Sequence, residues 1–148
     1  MRILALYLFT ILLGNNCNGQ DKLDINNAII EYVANSRGFY QKIQIQNHMI
    51  LISKDRSKDA IVVKNTISES DWNEIKGFFE NLELESLVHA KAPTDKRFYD
   101  GAAIASLKIT YKGITYESTE FDHGFPPESI SKFVNKINSL TKDKKQLK

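Results

Sequence analysis

Two segments of this 148-residue chain alternate between apolar and polar side chains, and this alternation restricts the fold more than any other feature. It runs through residues 39–55 and 104–119, and residues 60–63 add a short run rich in β-branched side chains. A period of two is typical of β-strands, because successive side chains point to opposite faces of a sheet. The polar breaks at Asn47-His48 and Lys112-Gly113 predict tight hairpins. About five strands are therefore expected, with neighbours antiparallel.

Apolar residues recur at helical spacing in three other segments, residues 23–38, 67–87 and 126–141. The clearest stripe consists of Trp72, Ile75, Phe78, Phe79 and Leu82. Asp24 and Ser68 stand where N-cap residues are expected, and proline can begin the third helix. The predicted order is helix, three strands, helix, two strands, helix. Helices between groups of strands favour an α+β fold, with the helices packed on one face of an antiparallel sheet.

The N-terminus has the pattern of a secretory signal. Met1-Arg2 precedes an apolar run from Ile3 to Leu13, and small and polar residues follow. A basic start and a short apolar run are typical of such signals, and the run is too short to span a bilayer. The pattern is consistent with two alternative processing sites. Cys17 stands where a bacterial lipoprotein carries its lipidated cysteine, and we favour lipidation there; the alternative is ordinary cleavage after Gly19.

We therefore expect a signal over residues 1–19, one α+β domain over residues 20–141 and a basic, disordered tail over residues 142–148. Cys17 is the only cysteine, so the domain has no thiol for disulfides or catalysis. The expected location is the inner or outer membrane, facing the periplasm or the cell surface, or the soluble periplasm if Cys17 is removed. The expected partners are an envelope protein and, through the lipid at Cys17, the membrane. Neither a nucleic acid nor a cofactor is expected.

Residues 119–129, TEFDHGFPPES, combine acidic side chains, a histidine and a turn sequence. One interpretation is chemical, with Asp122 and His123 as a hydrolytic or metal-binding pair and Asp100 or Glu120 nearby. However, neighbours on an extended strand point to opposite faces, and no converging set of metal ligands is spaced along the chain. The other interpretation is a strand-to-helix connection, in which Gly124 takes a positive φ. We favour the connection, and predict no catalytic or metal-binding residue.

The loop over residues 91–103, KAPTDKRFYDGAA, is the second stretch that is rich in charged and aromatic side chains. Arg97, Phe98 and Tyr99 are residue types that dominate binding hot spots, so these three and Asp100 are the candidate binding residues. The alternative is that Phe98 and Tyr99 close the core beneath the loop while Asp100-Gly101 turns the chain into the next strand.

Three stretches carry a resemblance to known proteins: GFYQKI (38–43), RFYDGAAIASLKITYKGITYES (97–118) and FDHGFPP (121–127). They resemble small exported proteins of Bacteroidetes that are classed as hypothetical lipoproteins of unknown function. That resemblance implies export and assigns no catalytic residue. The order of strands and helices is also similar to that of emfourin, a protein inhibitor of thermolysin-like metalloproteases, although no motif accompanies it and fold order alone does not carry function.

Two functions are consistent with these features. The first is a non-enzymatic binding module of the envelope, of which a protease inhibitor is one form. The second is a small periplasmic hydrolase or metal-dependent enzyme that uses Asp122 and His123. The absence of a marked nucleophile favours the binding module.

Overall fold

Seven antiparallel strands form one sheet in the computed structural model, which describes residues 22–57 and 62–142. The strands are β1 (Ala28–Asn35), β2 (Tyr40–Gln46), β3 (Met49–Ser53), β4 (Val62–Thr66), β5 (Ile104–Tyr111), β6 (Ile114–Glu117) and β7 (Phe121–Asp122). Their spatial order is β4-β3-β2-β1-β5-β6, and β7 pairs with the first residues of β5. The predicted α+β fold is confirmed.

The helix predicted over residues 23–38 is wrong. Asp24 does cap a helical turn, because its carboxylate accepts from the Asn26 N–H, but that turn is a short 3-10 helix over Ile25–Asn27. The chain then becomes β1, which lies between β2 and β5 and pairs with both. Pairing on both edges stabilises the extended form over the helical one, and the alternation of Ile30, Tyr32 and Ala34 suits it because all three are buried on one face.

Both predicted hairpins are present. Gln46 pairs with Met49 across the first turn, and Tyr111 pairs with Ile114 across the second. All four turn residues have positive φ, from 48° at Asn47 to 83° at Gly113. Two-residue turns of this conformation match the twist of the flanking strands. The third predicted strand, residues 60–63, corresponds to β4, which continues to Thr66; residues 60 and 61 lie outside the described part of the chain.

Two α-helices cover one face of the sheet. Helix α1 (Glu69–Phe79) begins at Ser68, whose hydroxyl accepts from the Asp71 N–H, and a 3-10 helix follows over Leu84–His89. Helix α2 (Ser131–Ser139) follows a 3-10 turn over Glu128–Ile130. The predicted helices over residues 67–87 and 126–141 are therefore present but shorter. Their apolar stripes join the core, where Trp72 is 3% and Phe133 is 1% exposed.

The described helices leave the other face of the sheet open, and that face is polar along its centre. Glu31 lies between Lys42 and Lys108, at 2.7 Å and 3.8 Å. Within residues 22–57 and 62–142, no helix is long and apolar enough to cross a membrane. The predicted signal, Cys17 and the tail beyond Lys142 lie outside the described residues.

The antiparallel register defines the two ends of the sheet. At one end Asn35 pairs with both Tyr40 and Ile104. At the other end Ala28 pairs with Tyr111. The candidate site lies at the Asn35 end.

Candidate functional site

Asp122 is a fully buried carboxylate that holds the loop before β5 in place. Its Oδ2 accepts from Thr94 Oγ1 at 2.5 Å and from the Lys96 N–H at 2.7 Å. Its Oδ1 accepts from the Arg97 N–H at 2.9 Å and from Arg97 Nη1 at 3.1 Å. With 0% of its surface exposed, Asp122 serves the loop and does not face solvent.

These hydrogen bonds keep Asp122 ionised. Burial alone raises the pKa of the carboxyl, but the bonds from Thr94, Arg97 and Lys96 outweigh it and hold the pKa at about 2. A carboxylate in this position is the charge partner of Arg97, whose side chain is only 10% exposed and also donates to the Thr94 carbonyl at 2.7 Å. Arg97, a candidate binding residue, therefore places its charged group inside the protein, where it orders the loop.

Phe98 and Tyr99 project from the loop that Asp122 holds. They lie in a 3-10 helix over Lys96–Tyr99 and are 74% and 71% exposed. The alternative in which these rings close the core is therefore wrong. Asp100 ends the turn with φ 58°, as expected of a turn residue. A Cβ at Gly101 would lie 2.9 Å from the Tyr99 ring and 3.2 Å from the Lys96 carbonyl oxygen, so a larger residue there would require the exposed Tyr99 ring to shift.

Three further apolar side chains are exposed at the same end of the sheet. Phe125 follows the turn after β7, with Lys96 Nζ 4.0 Å from its ring centroid. Ile104 begins β5 and pairs with Asp122, and Phe39 precedes β2. We name Phe39, Phe98, Tyr99, Ile104 and Phe125 together the aromatic end.

The turn that carries Phe39 is also held by an internal contact. Arg56, from the segment after β3, donates from Nε to Asn35 Oδ1 at 2.9 Å, and its guanidinium also bonds to the Ser36 carbonyl. The Ser36 N–H in turn donates to the Phe39 carbonyl at 2.8 Å. Polar contacts thus hold both the turn and the loop of the aromatic end.

His123 contacts different groups from its neighbour Asp122. Its Nδ1 lies 2.7 Å from the Tyr32 hydroxyl, and its ring packs on Phe39 with centroids 5.0 Å apart. Burial lowers the pKa of His123, and Lys142 lowers it further, so the ring is neutral at pH 7. Because Asp122 bonds to the loop and His123 bonds to Tyr32, the geometry does not form the Asp-His pair that a hydrolase needs.

No group of three histidine, cysteine or acidic side chains within the described ranges could hold a metal ion. His48 packs on Trp72 with ring centroids 4.1 Å apart, far along the chain from His123. Gly124 has φ 88°, and the Phe125 N–H donates to the Asp122 carbonyl at 2.8 Å, which closes a tight turn. The interpretation of residues 119–129 as a strand-to-helix connection is confirmed.

Comparison of the chain with protein-family models, with curated proteins and with solved structures finds no match. The resemblances to exported Bacteroidetes proteins and to emfourin accordingly remain predictions.

The sequence pattern identified the exposed loop but did not predict the hydrogen bonds from Asp122 that hold it in place. Asp122 was interpreted as a turn former, whereas it is the buried partner of residues more than 20 positions earlier. Phe39, Ile104 and Phe125 were not identified as surface residues, because nothing in the local pattern separates an exposed ring from a core ring.

Proposed function

We propose that this protein is an exported, lipid-anchored envelope protein that acts as a non-enzymatic binding module, with the aromatic end as its contact surface. The observation that carries the proposal is the exposure of Phe98 and Tyr99 on a loop that the buried Asp122 holds from inside. Large apolar side chains exposed together are characteristic of interaction sites.

The energetic argument is preorganisation. Ordering a flexible loop on binding costs about 0.5–1.5 kcal/mol for each immobilised side chain, and a loop that is already ordered avoids much of that cost. Four hydrogen bonds to Asp122 fix the backbone at Lys96 and Arg97 and leave the next two rings outward. The Arg97 guanidinium, 4.3 Å from the Phe98 centroid, also restricts that ring. Rigid aromatic anchors of this kind dominate binding energy at interfaces.

A protease inhibitor is the finer form of the proposal. A projecting, internally braced loop suits the occlusion of a cleft. Lys96–Tyr99 is helical rather than extended, so this loop does not offer the strand that a protease would pair with as a substrate. An inhibitor of this kind blocks access to the cleft of the protease and is not cleaved by it.

The test is capture of envelope proteins by cross-linking to the tagged, lipidated protein. Phe98→Ser combined with Tyr99→Ser should abolish capture of the specific partner without lowering the melting temperature. The matched control is Val88→Ser, which changes a 56% exposed apolar residue in the Leu84–His89 helix, a helix that contacts β6. Equal capture by the wild type and the double variant would contradict the proposed surface.

A further inference from the structure

We propose that strand β4 is a self-association edge, at which a second copy of this chain adds its own β4 antiparallel to the first and continues the sheet. The contact is separate from the aromatic end and needs no anchor. Three features of the described residues support it: the direction of the free backbone groups, the exposure of two valines and the placement of one charge.

The outer edge of β4 offers free backbone groups to a further strand. Within the described chain, β4 is the last strand on its side of the sheet. Residues of an antiparallel strand direct their N–H and C=O groups alternately to one neighbour and to the other. The Ile67 N–H donates to the His48 carbonyl at 2.8 Å, so the groups of Val63 and Asn65 are directed to β3 as well. The remaining residues of β4 direct theirs outward, namely Val62, Lys64 and Thr66.

Two valines of β4 are half exposed, one on each face of the sheet. Val63 pairs with the buried Ile52 and so lies on the face that carries the helices, yet it is 49% exposed. Val62 pairs with Ser53 on the open face and is 48% exposed. At the opposite edge of the sheet, by contrast, the Leu84–His89 helix contacts β6. An added strand buries apolar surface on both faces of β4 at once, which a helix lying on one face does not.

Charge and backbone direction select one register for two copies of β4. Outward-directed residues must face each other, so the registers that pair at least three described residues set Val62 opposite Lys64, Lys64 opposite Lys64, or Lys64 opposite Thr66. The second brings two ammonium groups together and is unfavourable. The third leaves both valines outside the pairing. The first sets Val63 against Val63 of the second copy and lays the Lys64 stem on Val62 of the second copy. In that register the edge is complementary to itself.

Disulfide trapping in the purified protein tests the register. Val63→Cys places two thiols at a pair without hydrogen bonds, where Cα atoms lie about 4.5 Å apart and a disulfide can form. Asn65→Cys, on the same face, is the matched control, because position 65 of the two copies is then separated by four residue steps, about 13 Å along the strand. Both variants carry Cys17→Ser, so the introduced cysteine is the only thiol.

Under mild oxidation, Val63→Cys should form a disulfide-linked dimer several-fold faster than Asn65→Cys, while the reduced variants melt at the temperature of their Cys17→Ser parent. Equal rates, no dimer, or faster reaction at position 65 would overturn the proposal. Each is the result expected if another segment of this chain, or a different protein, covers the edge.

Sedimentation equilibrium of the Cys17→Ser parent is the second measurement. A pairing of a few residues buries much less than the ~1,600 Å² of a stable interface, so the mean mass should rise toward that of two chains only at high concentration. Val63→Lys should abolish this rise, because it sets like charges opposite each other. Val62→Glu should keep it, because its carboxylate faces Lys64 of the second copy. A parent that stays monomeric at every concentration, or the reverse order of the two variants, would contradict the proposed edge.

Discussion

Two aspartates near the aromatic end show how burial changes the role of the same side chain. Asp122 is fully buried and accepts four hydrogen bonds, whereas Asp95 is 75% exposed and lies 3.5 Å from Arg97. Water screens the exposed pair, so it contributes little. The buried carboxylate cannot be removed without depriving the buried Arg97 of its buried charge partner and two backbone N–H groups of their acceptor. The two positions are therefore matched probes of the same guanidinium.

Asp122→Asn keeps the shape of the side chain and removes its charge. We expect it to lower the free energy of unfolding by about 3 kcal/mol, because Arg97 then keeps only the exposed, water-screened Asp95 as a counter-charge and loses its buried one. Asp95→Asn should change it by less than about 0.5 kcal/mol. Urea denaturation at pH 7 measures both. A loss of similar size in the two variants would show that Asp122 is not the anchor.

The burial of His123, with a smaller effect of Lys142, lowers its pKa and should make stability depend on pH. The folded pKa of His123 lies below its unfolded value of about 6.5, so the unfolded chain binds more protons in acid. The contribution is therefore fully present above about pH 6.5 and is lost as the pH falls through that value toward the folded pKa. His123→Gln should flatten this part of the profile of melting temperature against pH. An unchanged slope between pH 7 and pH 5 would show that His123 does not cause it.

Substitutions at two glycines, Gly124 and Gly38, can distinguish the cost of backbone strain from the cost of steric crowding. A Cβ would meet nothing within 4 Å at Gly124 or at Gly38, but only Gly124 has a positive φ, at 88°. Gly124→Val should therefore cost at least about 1–2 kcal/mol, since a β-branched residue tolerates that region poorly. Gly38→Val should cost clearly less. Thermal unfolding of both variants checks the difference, and equal losses would rule out strain as the cause.

At the scale of elements, the sequence pattern correctly predicted those elements that depend on contacts between residues close together along the chain. The two hairpins and helix α1 were predicted because their turn residues, cap and apolar stripe lie within a few positions of one another. The first helix was wrong because Ile25, Ile29, Tyr32 and Val33 fit helical spacing, while pairing with β2 and β5 decides the strand. Strand β7 was missed because it has only two residues, and its pairing with β5 is not local.

The buried rings of Trp72 and Phe133 should stabilise the packing of helices α1 and α2 on the sheet. Trp72→Ala or Phe133→Ala should cost about 3–5 kcal/mol, because each leaves a cavity between its helix and the core. Phe98→Ala removes the same ring as Phe133→Ala, but from a position that is 74% exposed, and should cost less than about 0.5 kcal/mol. Calorimetry can rank the three. Core variants that melt within a few degrees of the wild type would mean that α1 and α2 do not pack as described.

At the scale of the whole molecule, the candidate site is assembled from distant parts of the chain. Phe39, Phe98 and Phe125 belong to three different turns, and the sheet register brings those turns to one end. No local pattern predicts this assembly, because it depends on which strands pair. The sequence could indicate Arg97 to Asp100 as a loop of interest. It could not show that Arg97 turns inward while Phe98 and Tyr99 turn outward.

The central claim is that Asp122 preorders the loop that bears Phe98 and Tyr99, and amide hydrogen exchange tests it most directly. The Lys96 and Arg97 N–H groups donate to Asp122, so both should exchange slowly in the wild type. In Asp122→Asn they should exchange much faster, while the amides of the central strand β1 remain protected. Exchange at Lys96 and Arg97 that is already fast in the wild type, or unchanged in the variant, would contradict the claim.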